Sequence, residues 1–112
     1  MIPTWNILRG VNDYDFIKGD TFNSIKLTMP FDITDVKIEM QFKLRGGAQT
    51  VFSWSTEDDT FEKISETEII MKSRILNYSP NSYISDMQFT FANGVVVTHL
   101  KATLKIVQDI TV

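Results

Sequence analysis

The sequence predicts an all-β domain, an antiparallel immunoglobulin-like or jelly-roll-like β-sandwich. The strongest observation is the alternation from Val36 to Leu44, where apolar residues occupy every second position and polar residues fill the gaps. A period of two places these apolar side chains on one face of a sheet, whereas a helix would scatter them around its circumference. Since only one face of this ribbon is apolar, the pattern is typical of an antiparallel sheet that is covered on one side.

Other short apolar segments, separated by turn-forming residues, are the second observation that favours a sandwich. A strand over Ile25 to Met29 ends before Pro30, because proline lacks the N–H that a strand ladder needs. The run from Val51 to Trp54 predicts another strand. For residues 61–72 we predict a loop and then a strand at Glu68 to Lys72, since the apolar residues there form no helical stripe.

The third observation is a hairpin signal near the C-terminus. Alternating residues from Tyr83 to Phe91 predict a longer strand, and Asn93-Gly94 follows as a turn in which both residues tolerate positive φ. The segment from Val95 to Leu100 would then return antiparallel to it. Ala102, Leu104 and Ile106 predict a separate last strand.

Composition limits the class of protein. With 112 residues, a single domain over 1–112 is expected. The chain has no cysteine, which excludes disulfides, thiol catalysis and zinc–thiolate sites. A net charge of −3 with no Lys/Arg excess argues against nucleic acid or an anionic membrane as partner. No apolar run approaches the ~20 residues of a membrane helix, and the N-terminus has no secretory signal pattern.

Residues that carry catalysis are scarce. His99 is the one histidine, and with no nucleophile near it in sequence we expect a polar residue at a strand surface or edge. Glu57-Asp58-Asp59 lacks the alternating spacing of a calcium loop, so we expect a solvated turn. The glycines match neither phosphate-binding pattern. We therefore expect no catalytic residues, no metal and no cofactor; an enzyme subunit or small hydrolase would need clustered carboxylates that the sequence does not indicate.

The aromatic residues leave a second function class open. Most of them fall at the apolar phase of predicted strands, where core packing is the default. A carbohydrate-binding module, serving as a receptor-binding domain, would instead hold Trp54, Tyr78 or Tyr83 flat and exposed on one surface. The exposure of these three side chains discriminates between the two interpretations.

The N-terminal segment, residues 1–11, precedes the clear strands and carries Trp5, Ile7 and Leu8. An apolar leader of this kind either pairs as an edge strand or docks on a partner chain, and the sequence leaves both open. These three residues are our candidates for a partner interface.

Four segments, in this order, resemble the small β-sandwich at the N-terminus of phage upper baseplate proteins and related phage tail proteins. They are similar, in order, to that family's opening turn, to a turn with its following alternating strand, to its late hairpin and to its closing strand. Together they run from Ile17 to Thr111: IKGDTF (17–22), DITDVKIEMQFK (32–43), YISDMQFTFANGVVVT (83–98) and TLKIVQDIT (103–111). The sequence departs from the family at Asp35, where a glycine is usual, and at Ala102, which replaces a frequent glycine.

The resemblance implies a non-enzymatic structural component of a bacteriophage virion, in a tail, baseplate or fibre-attachment assembly. It implies other phage structural proteins as partners, a symmetric homo-oligomer within the assembly, and no cofactor. The protein would be made in the cytoplasm of the bacterial host and then reside in the virion.

Overall fold

The computed structural model describes the backbone of residues 4–7 and 16–108, together with the side chains of residues 7, 16–98 and 100–108. Within these ranges the chain forms eleven β-strands and no helix. The strands are β1 (Thr4–Ile7), β2 (Phe16–Ile17), β3 (Thr21–Phe22), β4 (Ile25–Thr28), β5 (Lys37–Leu44), β6 (Thr50–Ser55), β7 (Phe61–Lys63), β8 (Glu68–Met71), β9 (Arg74–Ile75), β10 (Asn81–Thr90) and β11 (Val96–Val107).

The strands form one main sheet and two small sheets. The main sheet has the order β1-β11-β10-β5-β6, and β2 also pairs with β11. The small sheets are β4-β8-β7 and the pair β3-β9. All described pairings are antiparallel except those of β1 and β2, which both run parallel to β11. The predicted all-β, mostly antiparallel and sandwich-like character is therefore confirmed.

The predicted ribbon is β5, and its apolar face is the centre of the core. Ile38, Met40 and Phe42 are each 0% exposed, while the alternating polar residues lie on the opposite, outer face. Phe22 of β3 packs on Trp54 of β6 with ring centroids 5.1 Å apart, and both belong to one buried cluster that includes residues of all three sheets. The small sheets thus cover the apolar face of the main sheet, which is the second layer that the one-sided ribbon required.

Two sequence predictions are wrong in detail. Phe61–Lys63 was expected in a loop, but it is strand β7, paired with β8. Three residues are too few to display an alternation, and the one buried side chain among them, Phe61, is held by a partner strand that sequence periodicity cannot reveal.

The two predicted C-terminal strands are in fact the single strand β11 of twelve residues. The register of β11 against β10 shifts between Met87 and Gln88, so that Gln88 pairs with Thr98 while Met87 pairs with Leu100. Such a bulge changes which residues face the core. Before the bulge, Val97 lies opposite the buried Phe89 and points toward the core side. After the bulge, the even-numbered residues from Leu100 onward point toward the core side instead. In the sequence this change of phase looks like a break between two strands.

The predicted hairpin is present at Asn93-Gly94, with a different turn geometry. The Gly94 N–H donates to the Phe91 carbonyl at 2.9 Å, and the Phe91 N–H donates to the Val95 carbonyl at 2.9 Å. Gly94 has φ 87°, whereas Asn93 is not among the residues with positive φ. The Asn93 side chain instead accepts a hydrogen bond from the Val95 N–H at 3.1 Å, so it stabilises the turn through its oxygen.

Candidate functional site

The outer face of the main sheet holds a polar depression. It has a volume of about 410 Å³ and is lined by residues of β5, β10 and β11: Glu39, Gln41, Lys43, Ile84, Ser85, Asp86, Gln88, Lys101, Ala102 and Thr103. Both signs of charge are present, and Asp86 lies opposite Lys101 in the strand register. A surface of this composition can form hydrogen bonds and ion pairs with a polar partner. Its charged side chains lie on the outer face because they alternate along each strand with residues that face the core.

The β6 edge of the main sheet is blocked by the chain's own side chains. The Thr56 N–H donates to the Ile38 carbonyl at 3.0 Å, so by strand alternation the backbone groups of Ser53 and Ser55 face away from β5. The Ser53 carbonyl accepts a hydrogen bond from the Arg74 guanidinium, and the Ser55 N–H donates to Thr60 Oγ1 at 2.7 Å. Strand addition at this edge would have to displace both contacts.

The opposite edge of the sheet is formed by β1, β2 and the first half of β11. On the side of β11 that faces away from β10, β1 and β2 pair with residues 101–104 and 106–107. Within the described residues, this pairing does not reach the start of β11. At that start Val96 and Val97 are exposed, and so is Val95, the residue between the hairpin turn and the strand. The sequence predicted an ordinary returning strand here. Three apolar residues in a row, which break the alternation of an antiparallel strand, were the signal for a two-sided apolar edge.

The three residues predicted to form a partner interface differ in where the structure places them. The backbone of Trp5 lies in β1, which pairs with β11 as an edge strand, and this agrees with one of the two interpretations left open for the segment. Ile7 is 2% exposed and belongs to the core, so its side chain packs inside the chain's own fold. The Trp5 side chain and all of Leu8 lie outside the described residues, and their contact with a partner stays a prediction.

The aromatic residues named for a glycan platform are turned inward. Trp54 is 0% exposed, and its Nε1–H donates to the Lys72 carbonyl at 2.9 Å. Tyr83 is buried with its hydroxyl donating to the Ser79 carbonyl at 2.6 Å. Tyr78 is half-buried and stacks on Phe52 with ring centroids 4.3 Å apart. Trp54 and Tyr83 therefore offer no flat exposed ring on the surface.

The acidic residues serve local turns. The predicted solvated turn at Glu57-Asp58-Asp59 is exposed, and Asp58 accepts hydrogen bonds from the N–H and the hydroxyl of Thr60. The hydroxyl and then the N–H of Thr60 lower the pKa of Asp58, because both bonds favour the charged carboxylate. Among the side chains of residues 7, 16–98 and 100–108, no group of three or more Asp or Glu is placed to hold a metal ion. The side chain of His99 lies outside the described residues, while its backbone belongs to β11.

The buried Tyr83 hydroxyl predicts a loss of stability at high pH. Burial is the larger cause that raises its pKa above the usual 10.0, and the nearby Tyr78 is the smaller one. Since the folded chain holds this proton more tightly than the unfolded chain, Tyr83 stabilises the fold fully below about pH 10 and loses this contribution as pH rises through the raised pKa. We expect the stability advantage of the wild type over Tyr83→Phe, about 1 kcal/mol at neutral pH for the lost hydrogen bond, to shrink above about pH 10.

Urea unfolding of both proteins across that pH range measures the effect. A difference in unfolding free energy that stays constant with pH would contradict it. The other tyrosines and the lysines titrate in both proteins, so their effect on the unfolding free energy cancels in the comparison.

No described helix is long and apolar enough to cross a membrane. The comparisons with known proteins give no relative: no family model matches this chain, and neither a curated protein nor a solved structure matches it.

Proposed function

We propose that this chain is a non-enzymatic structural component of a bacteriophage virion, in a tail, baseplate or fibre-attachment assembly. The observation that carries the proposal is the ordered set of four segments that resemble phage baseplate and tail domains, spanning Ile17 to Thr111. The strand residues of the last three segments lie in β5, β10 and β11, which are neighbours in the main sheet. These three strand portions therefore lie side by side in one sheet, which supports the proposal.

The distribution of surfaces supports a role in assembly. The outer face is polar with both signs of charge, the β6 edge is blocked, and the start of β11 is apolar and exposed. A protein that joins an ordered particle needs contact surfaces that differ in character, so that each accepts its own partner and rejects the others. We propose that residues 1–11, through Trp5 and Leu8, contact a second phage structural protein, and that copies of the chain form a symmetric homo-oligomer in the assembly.

The proposal is tested on phage particles purified from host cells in which the chain is produced. We expect mass spectrometry of purified particles to detect the chain at stoichiometric amounts and immunogold electron microscopy to place it on the tail. Trp5→Ala should lower the amount of chain in particles, while Ile75→Ala, at a position that is 63% exposed, should leave it unchanged. Absence of the chain from purified particles would overturn the proposal.

A carbohydrate-binding function is the second candidate, and the polar depression on the outer face is the observation that favours it. Its hydrogen-bonding side chains suit a glycan, although the described aromatic residues supply no platform there. A chain that is absent from particles and binds a glycan on an array would replace the virion proposal with this one.

A further inference from the structure

The start of β11 is apolar on both sides of the strand. Val95, Val96 and Val97 are 50%, 55% and 44% exposed. Val97 lies opposite the buried Phe89 and so points toward the core side, while Val96, one residue earlier, points toward the outer face. A strand at the margin of a sheet is normally apolar on the covered face and polar on the other, so exposed valines on both faces form an apolar surface that a contact with another chain would cover.

The backbone of Val96 is oriented for such a neighbour. The Val95 carbonyl accepts from the Phe91 N–H and therefore faces β10. Because successive backbone groups alternate between the two sides of a strand, the N–H and the carbonyl of Val96 face away from β10, toward the outer edge of the sheet. Among residues 4–7 and 16–108, no strand pairs with β11 at this position.

The local sequence is complementary to itself. If two copies of Val95-Val96-Val97 run antiparallel about a two-fold axis at Val96, Val96 pairs with its own copy, and Val95 pairs with Val97 of the other chain in both directions. β-Branched residues such as valine are enriched in strands because they pack well against cross-strand neighbours. The register ends at the Asn93-Gly94 turn and stays clear of Lys101, where the pairing with β1 begins.

We propose that the outer edge of β11 at Val95–Val97 is the contact between two copies of this chain, joined antiparallel about Val96 into one continuous sheet. This inference deepens the symmetric homo-oligomer of the proposed function by naming the surface that forms it. A contact of three residues a side is small, so the association is weak in solution and gains strength when other contacts of the assembly hold the copies together.

Sedimentation velocity of the purified full chain over a wide range of concentrations measures the self-association. We expect the wild type to dimerise as concentration rises. Val96→Lys places two like charges opposite each other and should weaken the dimer about tenfold or more. Val51→Lys is the matched control, because Val51 is 41% exposed on β6, at the edge that Arg74 and Thr60 block. It should dimerise like the wild type. A wild type that stays monomeric, or a Val96→Lys variant that dimerises as well as Val51→Lys, overturns the inference.

Disulfide trapping tests the register and does not depend on a strong dimer. The chain has no cysteine, so a single introduced one reports one contact. In the proposed pairing the two Cα atoms at position 96 are about 5.5 Å apart, within the range that a disulfide spans. Val96→Cys should therefore form a covalent dimer under mild oxidation, and Val51→Cys should form none. Equal yields from the two variants would reject the register.

The melting temperature of each variant, read by circular dichroism, separates a lost contact from a lost fold, and an unchanged value is expected because both positions are exposed. The two proposals fail separately. A chain that enters phage particles and shows no contact at Val96 refutes the dimer surface and leaves the virion role standing. A chain that dimerises at Val96 and is absent from particles refutes the virion role and leaves the dimer surface standing.

Discussion

Met40→Asp is expected to prevent folding, whereas Gln41→Asp, one residue later, is expected to leave stability almost unchanged. Met40 is 0% exposed at the centre of the apolar face of β5, and Gln41 is exposed on the outer face. Burying a carboxylate with no partner costs several kcal/mol, and the lost packing of Met40 adds about 2–5 kcal/mol. Together these losses are comparable to the whole stability of an ordinary domain, about 5–15 kcal/mol.

The paired substitutions are compared by urea unfolding followed by far-ultraviolet circular dichroism. Met40→Asp should show no cooperative transition, and Gln41→Asp should stay within about 0.5 kcal/mol of the wild type, as is usual for exposed positions. Because both variants add the same charge to the same strand, their difference isolates the face on which the residue lies. Equal stability of the two variants would contradict the assignment of faces.

Trp54→Ala is expected to cost about 3–5 kcal/mol, the second largest effect. The indole is fully buried and lies against three phenylalanine rings, with centroids 5.1 Å from Phe22, 5.7 Å from Phe42 and 5.9 Å from Phe52. The guanidinium of Arg74 lies 4.0 Å from the centre of the ring, so the truncation also removes the aromatic surface that this cation covers. The cavity left behind would sit between the main sheet and β3.

Trp54→Phe separates the packing of the ring from its hydrogen bond. The smaller ring keeps much of the contact but leaves the Lys72 carbonyl without the Nε1–H donor, for an expected loss of about 1–3 kcal/mol from the bond, smaller than the total loss in Trp54→Ala. Ile75→Ala, at a largely exposed position, is the control and should cost about 0.5 kcal/mol or less. If Trp54→Ala unfolds at the same urea concentration as Ile75→Ala, the indole is not the centre of the core that the structure describes.

Much of the fold follows from local sequence pattern. The alternation over Val36 to Leu44 correctly identified β5 and its buried face, and Asn93-Gly94 correctly located the hairpin between β10 and β11. Both signals are local: alternation depends on the two-residue period of a strand, and the turn depends on a glycine that adopts positive φ. Where the local signal was short or changed phase, as at Phe61–Lys63 and at the bulge opposite Gln88, the prediction failed.

The candidate surfaces were less accessible to sequence reasoning. The outer face followed from the polar half of the alternation, but the blocking of the β6 edge depends on Arg74 reaching the Ser53 carbonyl. The exposure of Val95 to Val97 accompanies the absence of described strand pairing on the outer side of β11 before Lys101, which is likewise a matter of tertiary structure. The Arg74 contact leaves no periodic trace in the chain, whereas the run of three valines does break the alternation expected of a strand.

By itself, then, the amino-acid sequence determined that this protein is built from strands with one apolar face, because side-chain direction along a strand depends on neighbouring residues alone. The tertiary structure decided which strands meet: that β1 runs parallel to β11, that Ile7 and Trp54 are core residues, and that one sheet edge is blocked while the other begins with exposed valines. These outcomes depend on contacts between residues far apart in the chain, whose free energies compete with one another and come into effect only when the two layers pack.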